Sequence, residues 1–396
     1  MQNKQTKKGN NKMKVFIAGM DGYLGWALCQ YLLSKGYEVG GCDNYLRRKM
    51  VDEIGSISAT PIASMQSRLA ALRGRGEDVY YKTGDLQSFS FIKECLVEFQ
   101  PDAVVNFGQI PSAPYSMIDG EHASFTQQNN IVGNLNLVYA MKEACPMAHL
   151  VKLGSMGEYG TPKTDIPEGF YEVEFRGVKD TVPFPRAAGS WYHWSKVHDS
   201  NNITFACKLW GLRCTDIMQG VVFGLDHPGM LEQNNLLTRL DFDHAFGTAI
   251  NRFVVQAVLE DDITPFGLGK QKRGFLPIRD SLRCIELIIE NAPDNGEYRV
   301  FNQWENIYSV NELAEKVLSA ANAKGLEPRI NNIVNPRVEN EDHRYNVDRN
   351  HLINIGYEPT SDIDNEINLL MDRALANKKR LEPFVSLLSP PDYWKR

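Results

Sequence analysis

The sequence predicts an α/β fold, a doubly wound parallel sheet with a smaller C-terminal lobe, and three observations predict it. Apolar, strand-like runs alternate with amphipathic helical runs through the first half of the 396-residue chain. A glycine triplet, Gly19, Gly22 and Gly25, joins the first of those strands to the first helix. From about residue 211 the pattern turns irregular, rich in Gly, Pro, Asn and aromatic residues, as a smaller lobe packed behind the sheet would be.

Taken in order, the first strand is Val15–Ala18, and the helix that follows runs Leu24–Ser34, where Gly36 stops it. Between them the first glycine permits a tight turn and the second lets backbone approach an anion. The third lets helix and sheet pack closely, with the helix N-terminal N–H groups aimed at a pyrophosphate. Tyr23 and Leu24 belong to the same loop. The second strand, Glu38–Cys42, ends in Asp43, eighteen residues past Gly25, where a carboxylate accepts hydrogen bonds from a ribose 2′-hydroxyl. That makes the fold a Rossmann sheet and NAD the expected cofactor, with Asn44 beside the ribose. Arg47 and Arg48 keep NADP open, since an arginine near this strand end can hold a 2′-phosphate. Residues 44–78 are too long for a plain connection and read as a lid-like insertion with one helical stretch, Ala63–Leu72. The strands Val79–Thr83, Ala103–Phe107 and Leu150–Leu153 continue the alternation, and Asp85 and Leu86 follow the third strand where a side chain contacts adenine. The expected division is a disordered tail over 1–12, a dinucleotide-binding domain over 13–210 and a mainly substrate-binding lobe over 211–396.

Composition excludes several classes of function. A net charge of −6 argues against an extended nucleic-acid surface. No apolar run approaches the roughly 20 residues that span a bilayer, and no hydrophobic segment near the N-terminus reads as a signal peptide. The seven cysteines form no C-x-x-C pair and the eight histidines no ligand-spaced pair, so the expectation is a reducing cytoplasm, no disulfide framework and no metal.

The chemistry is carried by Tyr192-His193-Trp194-Ser195-Lys196, which sets a tyrosine and a lysine one helical turn apart on one face. A free phenol has a pKa of about 10, and a neighbouring ammonium is expected to lower it by about two to three units. Tyr192 then takes a proton from a substrate hydroxyl as nicotinamide accepts the hydride, and Lys196 also holds the nicotinamide ribose. Leu150–Leu153 leads into Ser155, a hydroxyl at the carboxyl edge of the sheet placed for the same substrate oxygen.

Glycine triplet, Asp43, strand-end serine and Tyr192/Lys196, in that order, resemble the extended short-chain dehydrogenase/reductase family of nucleotide-sugar epimerases and dehydratases. Longer words narrow the resemblance to its sulfoquinovose-synthase branch: Gly22-Tyr23-Leu24-Gly25-Trp26-Ala27, Ser112-Ala113-Pro114-Tyr115-Ser116-Met117, Ser155-Met156-Gly157-Glu158-Tyr159-Gly160, Phe246-Gly247-Thr248-Ala249 and Asn335-Pro336-Arg337-Val338-Glu339. The resemblance implies UDP-glucose as substrate, tightly held NAD, a 4-keto and then a 4-keto-5-ene sugar, sulfite adding at C6, and a homodimer formed through two helices per subunit. It implies His193 as an acid/base, with Glu158 a second candidate. Arg279 and Arg337 lie in matching words, and a bidentate guanidinium suits the UDP pyrophosphate. Gln271 and Arg273, with Met156 and Gln219, complete the candidate substrate contacts.

Two positions depart from the pattern. Ser155 stands where the branch carries threonine, which keeps the hydroxyl. Pro111 stands where it carries arginine, which removes a cation suited to sulfite. The alternatives are therefore a UDP-hexose epimerase or 5,6-dehydratase without sulfite use and, more remotely, a non-catalytic NAD-binding regulatory protein.

Overall fold

The computed structural model describes residues 12–233, 236–340 and 343–391. Apart from Lys12, the expected disordered tail lies outside the described residues. A seven-stranded sheet runs in the order Tyr298–Gln303, Arg213–Gln219, His149–Leu153, Ala103–Asn106, Lys14–Ala18, Glu38–Asp43, Tyr80–Thr83. Every neighbouring pair is parallel. The chain starts in the middle of the sheet, winds to one edge and then returns to wind to the other. The reversal falls between Lys14–Ala18 and Ala103–Asn106, so a crevice opens at the carboxyl ends of those two strands.

The strands are near-continuous apolar runs because both faces are covered. On one face Val15, Ile17 and Val105 pack with the helices Tyr23–Ser34 and Ile278–Glu290, and on the other Phe16, Val104 and Leu150 pack with Phe89–Phe99, Gly133–Ala144 and Trp191–Trp210. A separate core, built from Phe253, Val254, Leu313, Ile367 and Leu370 among others, holds the C-terminal lobe. A three-stranded sheet, Asn306–Ser309, Lys272–Pro277, Val221–Phe223, lies between the two cores.

Three expectations need correction. The division at residue 210 does not hold, because Arg213–Gln219 and Tyr298–Gln303 complete the central sheet after long excursions into the other lobe. The insertion carries two helices, Leu46–Glu53 and Met65–Arg73, where one was expected. Nor is it lid-like. Ala59 N donates to Leu240 O at 2.8 Å, Thr60 Oγ1 to Thr238 O at 3.0 Å and Arg68 to Leu237 O at 2.9 Å, so backbone carbonyls of the C-terminal lobe clamp it.

Among the described residues no helix is long and apolar enough to cross a membrane. All seven cysteines are buried and unpaired.

Candidate active site

The crevice is one continuous cavity of about 810 Å³, lined from the glycine loop through Ser155 and Tyr192 to Arg337. Its dinucleotide end is shaped by what it cannot contain. Gly19 has φ +84°, and a Cβ there would sit 2.6 Å from the Phe107 carbonyl carbon. A Cβ on Gly25 would sit 2.1 Å from Gly19 O. The loop is pinned to the second strand by Gly19 N and Met20 N, which donate to Cys42 O at 2.9 and 3.1 Å. No side chain caps the helix Tyr23–Ser34, and Gly22, Tyr23 and Leu24 line the cavity at its N-terminus. This cradle fits a pyrophosphate.

Asp43 lies at the lip of the same cavity and accepts from Asp21 N at 2.8 Å and Tyr45 N at 2.7 Å. Burial, reinforced by Asp21, pushes its carboxyl up to about 6. Asn44 donates to Asp85 at 2.9 Å, and both line the cavity with Leu86. The two arginines that kept NADP open behave differently. Arg48 grips Asp21 through two 2.6 Å hydrogen bonds and Ala63 O at 2.8 Å, so its guanidinium is committed to tying the glycine loop to the insertion. Arg47 lines the cavity, pairs with Asp241 at 2.7 Å and lies 3.9 Å from the Phe246 ring centroid. Its buried Nε and Nη1 have no hydrogen-bond partner, which leaves that edge for a bound anion.

The reacting end is built on the helix Trp191–Trp210, capped by Ser190, whose hydroxyl accepts from His193 N at 3.3 Å. Tyr192 N donates to Ser116 Oγ at 3.1 Å, which ties the helix start to the segment following Pro111. A π-turn, Gln128–Val132, presents Asn130, which accepts from Ile110 N at 2.7 Å and donates to Ser195 Oγ at 2.9 Å. Such turns recur at functional sites because they re-aim side chains that regular helix would misplace. Here the turn locks the loop from Gln109 onto the helix Trp191–Trp210.

Ser155 follows the strand His149–Leu153, with Gly157 N donating to its hydroxyl at 3.1 Å, and it lines the cavity together with Tyr192. Lys196 Nζ lies 5.7 Å from the Tyr192 ring centroid and donates to Leu153 O at 2.7 Å and to Gln109 Oε1. The expectation that Lys196 dominates the phenol is corrected. Burial is the largest influence and pushes Tyr192 up, joined by the negative charges of Glu158 and Asp199. Arg47 and the Ser155 hydroxyl act the other way. Burial also lowers Lys196, with Lys152 adding to the effect.

His193 lines the cavity, with Nδ1 2.8 Å from Ser190 Oγ. Its imidazole packs on Gly157, where a Cβ would come within 2.2 Å of Nε2. Burial first, then Arg337, Arg273 and Lys196, hold its pKa down to about 3, so the ring is neutral at physiological pH. Glu158 is buried and engaged. It accepts from Ser155 N at 2.9 Å and Arg186 Nη1 at 2.5 Å and pairs with Lys152 at 3.4 Å, which removes it as a second acid/base.

The far end is cationic. Arg273 pairs with Glu339 at 2.7 Å, and Arg337 lies 5.9 Å from the Phe266 ring centroid. Arg252, which sequence reasoning missed, lies 4.1 Å from the same ring and donates to Thr264 O at 2.9 Å. No carboxylate pairs with it among the described residues, and burial with Arg337 lowers it to about 9. A charged residue inside the apolar run Ala249–Val258 was the signal available. Gln271 donates to Phe266 O at 3.0 Å and leaves Oε1 without a partner. Gln219 is held by Ser281 and Gln303 at 3.0 and 2.8 Å, and Met156 by Tyr345 OH at 3.6 Å, and all three line the cavity. Arg279 does not reach it. Its guanidinium lies 2.8 Å from Glu366 outside the cavity, so its expected role on the pyrophosphate is corrected. No cluster of metal-ligating side chains occurs among the described residues.

The profile of the NAD dependent epimerase/dehydratase family matches residues 15–302. The chain belongs to that family. It is 44% identical over 388 residues to the chloroplastic UDP-sulfoquinovose synthase of Spinacia oleracea, a match covering 98% of this chain and 80% of that one. It is 42% identical over 386 residues to UDP-sulfoquinovose synthase of Sulfolobus acidocaldarius, covering 97% and 98%. Its fold is that of family members of known structure. UDP-glucuronic acid 4-epimerase from Bacillus cereus, solved with UDP-glucuronic acid and NAD, superposes with TM-score 0.68 at 18% identity, over 93% of this chain and 100% of that one. The dTDP-glucose 4,6-dehydratase DesIV from Streptomyces venezuelae, solved with NAD, gives 0.68 at 17% identity, over 94% and 99%.

Proposed function

We propose that this NAD-dependent family member acts on UDP-glucose through a 4-keto sugar and joins sulfite to C6. The observation that carries the reading is the single cavity, which runs from a dinucleotide cradle past Tyr192 and Ser155 to a wall of three arginines, with Lys196 buried beside Tyr192. NAD, when bound, accepts the hydride from C4 and returns it at the end of the cycle. Gly19, Gly22 and Gly25 hold its pyrophosphate, Asp43 its ribose, and Asn44, Asp85 and Leu86 the adenosine end. Arg252, Arg273 and Arg337 face the UDP diphosphate, with Gln271 Oε1 an acceptor beside them.

Tyr192 removes the proton of the C4 hydroxyl, and Ser155 orients the same oxygen. With a carbonyl at C4 the C5 hydrogen is acidic. Neutral His193 accepts that proton and passes it to the departing C6 hydroxyl, which leaves as water. The sulfur lone pair of sulfite then forms the S–C6 bond. The C5=C6 electron pair moves to C5, which takes the proton that hydrogen sulfite gives up on bonding through sulfur, and reduction at C4 with protonation from Tyr192 completes UDP-6-sulfoglucose.

Pro111 is the observation that favours a second reading, a UDP-hexose epimerase or 5,6-dehydratase that does not use sulfite. Incubation with UDP-glucose in deuterated water, with and without labelled sulfite, separates them. The first reading expects deuterium at C5 and a sulfonate product, and deuterium uptake without sulfonate overturns it in favour of the second.

A homodimer and a reducing, cytoplasmic setting complete the proposal. Phe205 and Leu209, 63% and 55% exposed on the helix Trp191–Trp210, and Tyr139, 41% exposed on Gly133–Ala144, give adjoining helices an apolar outer face suited to a second copy. Seven buried, unpaired cysteines suit a reducing compartment.

A further inference from the structure

Beneath the reacting end lies a buried charge network, and its balance singles out one carboxylate. Lys152 donates to Asp216 at 3.1 Å, Ser200 at 2.8 Å and Lys196 O at 3.1 Å and pairs with Glu158 at 3.4 Å. Arg186 donates to Glu158 at 2.5 Å, and Tyr298 OH donates to Asp216 at 2.6 Å. Two cations, Lys152 and Arg186, are thus matched by two carboxylates, Glu158 and Asp216. The ammonium left over is Lys196, and the carboxylate left over is Asp199, fully buried three residues further along the same helix.

The two are joined through Gln109. Its Nε2 donates to Asp199 Oδ2 at 2.5 Å and to Asn130 O at 3.3 Å, while its Oε1 accepts from Lys196 Nζ. Only one orientation of that amide works. Flipped, it would set its NH2 against the ammonium and its carbonyl against the carboxylate. The Asp199 charge therefore fixes which way Gln109 points, and Gln109 fixes where Lys196 stands. Asp199 Oδ1 has no hydrogen-bond partner, so the carboxylate is stabilised mainly by this chain and by the nearby ammonium groups.

We infer that Asp199 is a positioning residue of the reaction: acting through Gln109, it keeps Lys196 an ammonium beside Tyr192 and so sets the alkaline limit of turnover. The groups facing Lys196 are Lys152 from the strand His149–Leu153, Asp216 from Arg213–Gln219, Glu158 from the turn after Ser155, and Tyr192, neutral His193 and Asp199 from its own helix. Burial and Lys152 favour the neutral amine. Asp199, Glu158 and Asp216 favour the ammonium, and Asp199 heads that list. A buried carboxylate is itself pushed up, and Lys152 and Lys196 pull it back. Loss of the Asp199 charge must therefore lower the pH at which Lys196 loses its proton.

The inference rests on the proposed reaction for its kinetic test but not for its direct one. Asp199→Asn keeps the shape and an acceptor for Gln109 while removing the charge. Two measurements on the full-length holoprotein decide. The first is the pH profile of reduction of bound NAD by UDP-glucose. The second is the titration of Lys196 Nζ by NMR on lysine-labelled protein, assigned with Lys196→Arg. The expected result is an alkaline limb and a Lys196 titration both displaced downward by about one pH unit, with kcat falling at least roughly tenfold above the new limit and KM for UDP-glucose nearly unchanged. A folded Asp199→Asn protein in which neither moves overturns the inference. If Asp199→Asn does not fold, Gln109→Ala must move the same limb and the same titration, and unmoved values there overturn it equally. Should wild-type protein fail to reduce its NAD with UDP-glucose, the proposed substrate is wrong, while the Lys196 titration still decides the role of Asp199.

Discussion

Tyr192 is raised by burial and by two carboxylates, with Arg47 and the Ser155 hydroxyl acting the other way. A group so placed is a poor base until the cationic side of its surroundings is complete, and in the proposed reaction Lys196 and the bound nicotinamide nucleotide would complete it. Tyr192→Phe removes the proton carrier without altering the ring's packing. Turnover of UDP-glucose is expected to fall by about 100-fold or more with the UDP-glucose dissociation constant nearly unchanged, as steady-state kinetics and calorimetry would record. His193 gives a different prediction. Its folded pKa, about 3, lies below the roughly 6.5 of an unfolded histidine, so the unfolded chain binds the extra proton between those values. Stability is therefore lost as pH falls from about 6.5 toward 3. In thermal melts across that range, His193→Gln should flatten the loss. Between about pH 5 and 8 the wild-type turnover profile should carry no limb from His193.

At the scale of elements, what was legible in the chain was what is local. The glycine triplet, Asp43, Ser155 and the Tyr192/Lys196 turn each announce themselves within one strand–turn–helix or one helical turn, and the cavity gathers all of them but Lys196, which lies buried beside Tyr192. Arg252 was not legible, because a guanidinium inside an apolar helix reads as a solvated edge until Phe266 and Thr264 are brought against it. Gln109 and Asp199 are 90 residues apart, and no period or spacing connects them. Arg279 failed for the opposite reason: it sits in a family-like word, but its partner, Glu366, comes from a distant helix. The helix Trp191–Trp210 shows both sides of the matter, since its inward face carries the catalytic turn and its outward face carries Phe205 and Leu209. If that outward face joins two copies, Phe205→Glu combined with Leu209→Glu should convert a dimer into a monomer in sedimentation experiments. A wild-type protein that sediments as a monomer would remove the role of this face in assembly.

At the scale of the whole molecule, the fold class was legible and the lobes were not. Strands separated by long excursions close the sheet, so the protein is less a nucleotide domain followed by a substrate domain than one sheet whose later crossovers build the second lobe. That wiring decides where charge can reach the sugar. Three arginines approach from the far lobe, and Arg47 approaches from the insertion with two nitrogens unpartnered. The segment over the reacting end puts Pro111 on the cavity wall, exposed and without an N–H, so that this position offers no cation. A charge-assisted hydrogen bond contributes about 1.5–3 kcal/mol, so Pro111→Arg should raise sulfite capture at low sulfite by roughly 10- to 150-fold. Exchange of the C5 hydrogen, which in the proposed reaction needs Tyr192 and His193 but no anion, should stay nearly constant. The ratio of sulfonate formed to deuterium incorporated, measured on both proteins at the same sulfite concentration, reports the difference. An unchanged ratio, with wild-type protein already forming the sulfonate efficiently, would mean that the cationic groups already lining the cavity suffice and that proline at this position costs the reaction nothing.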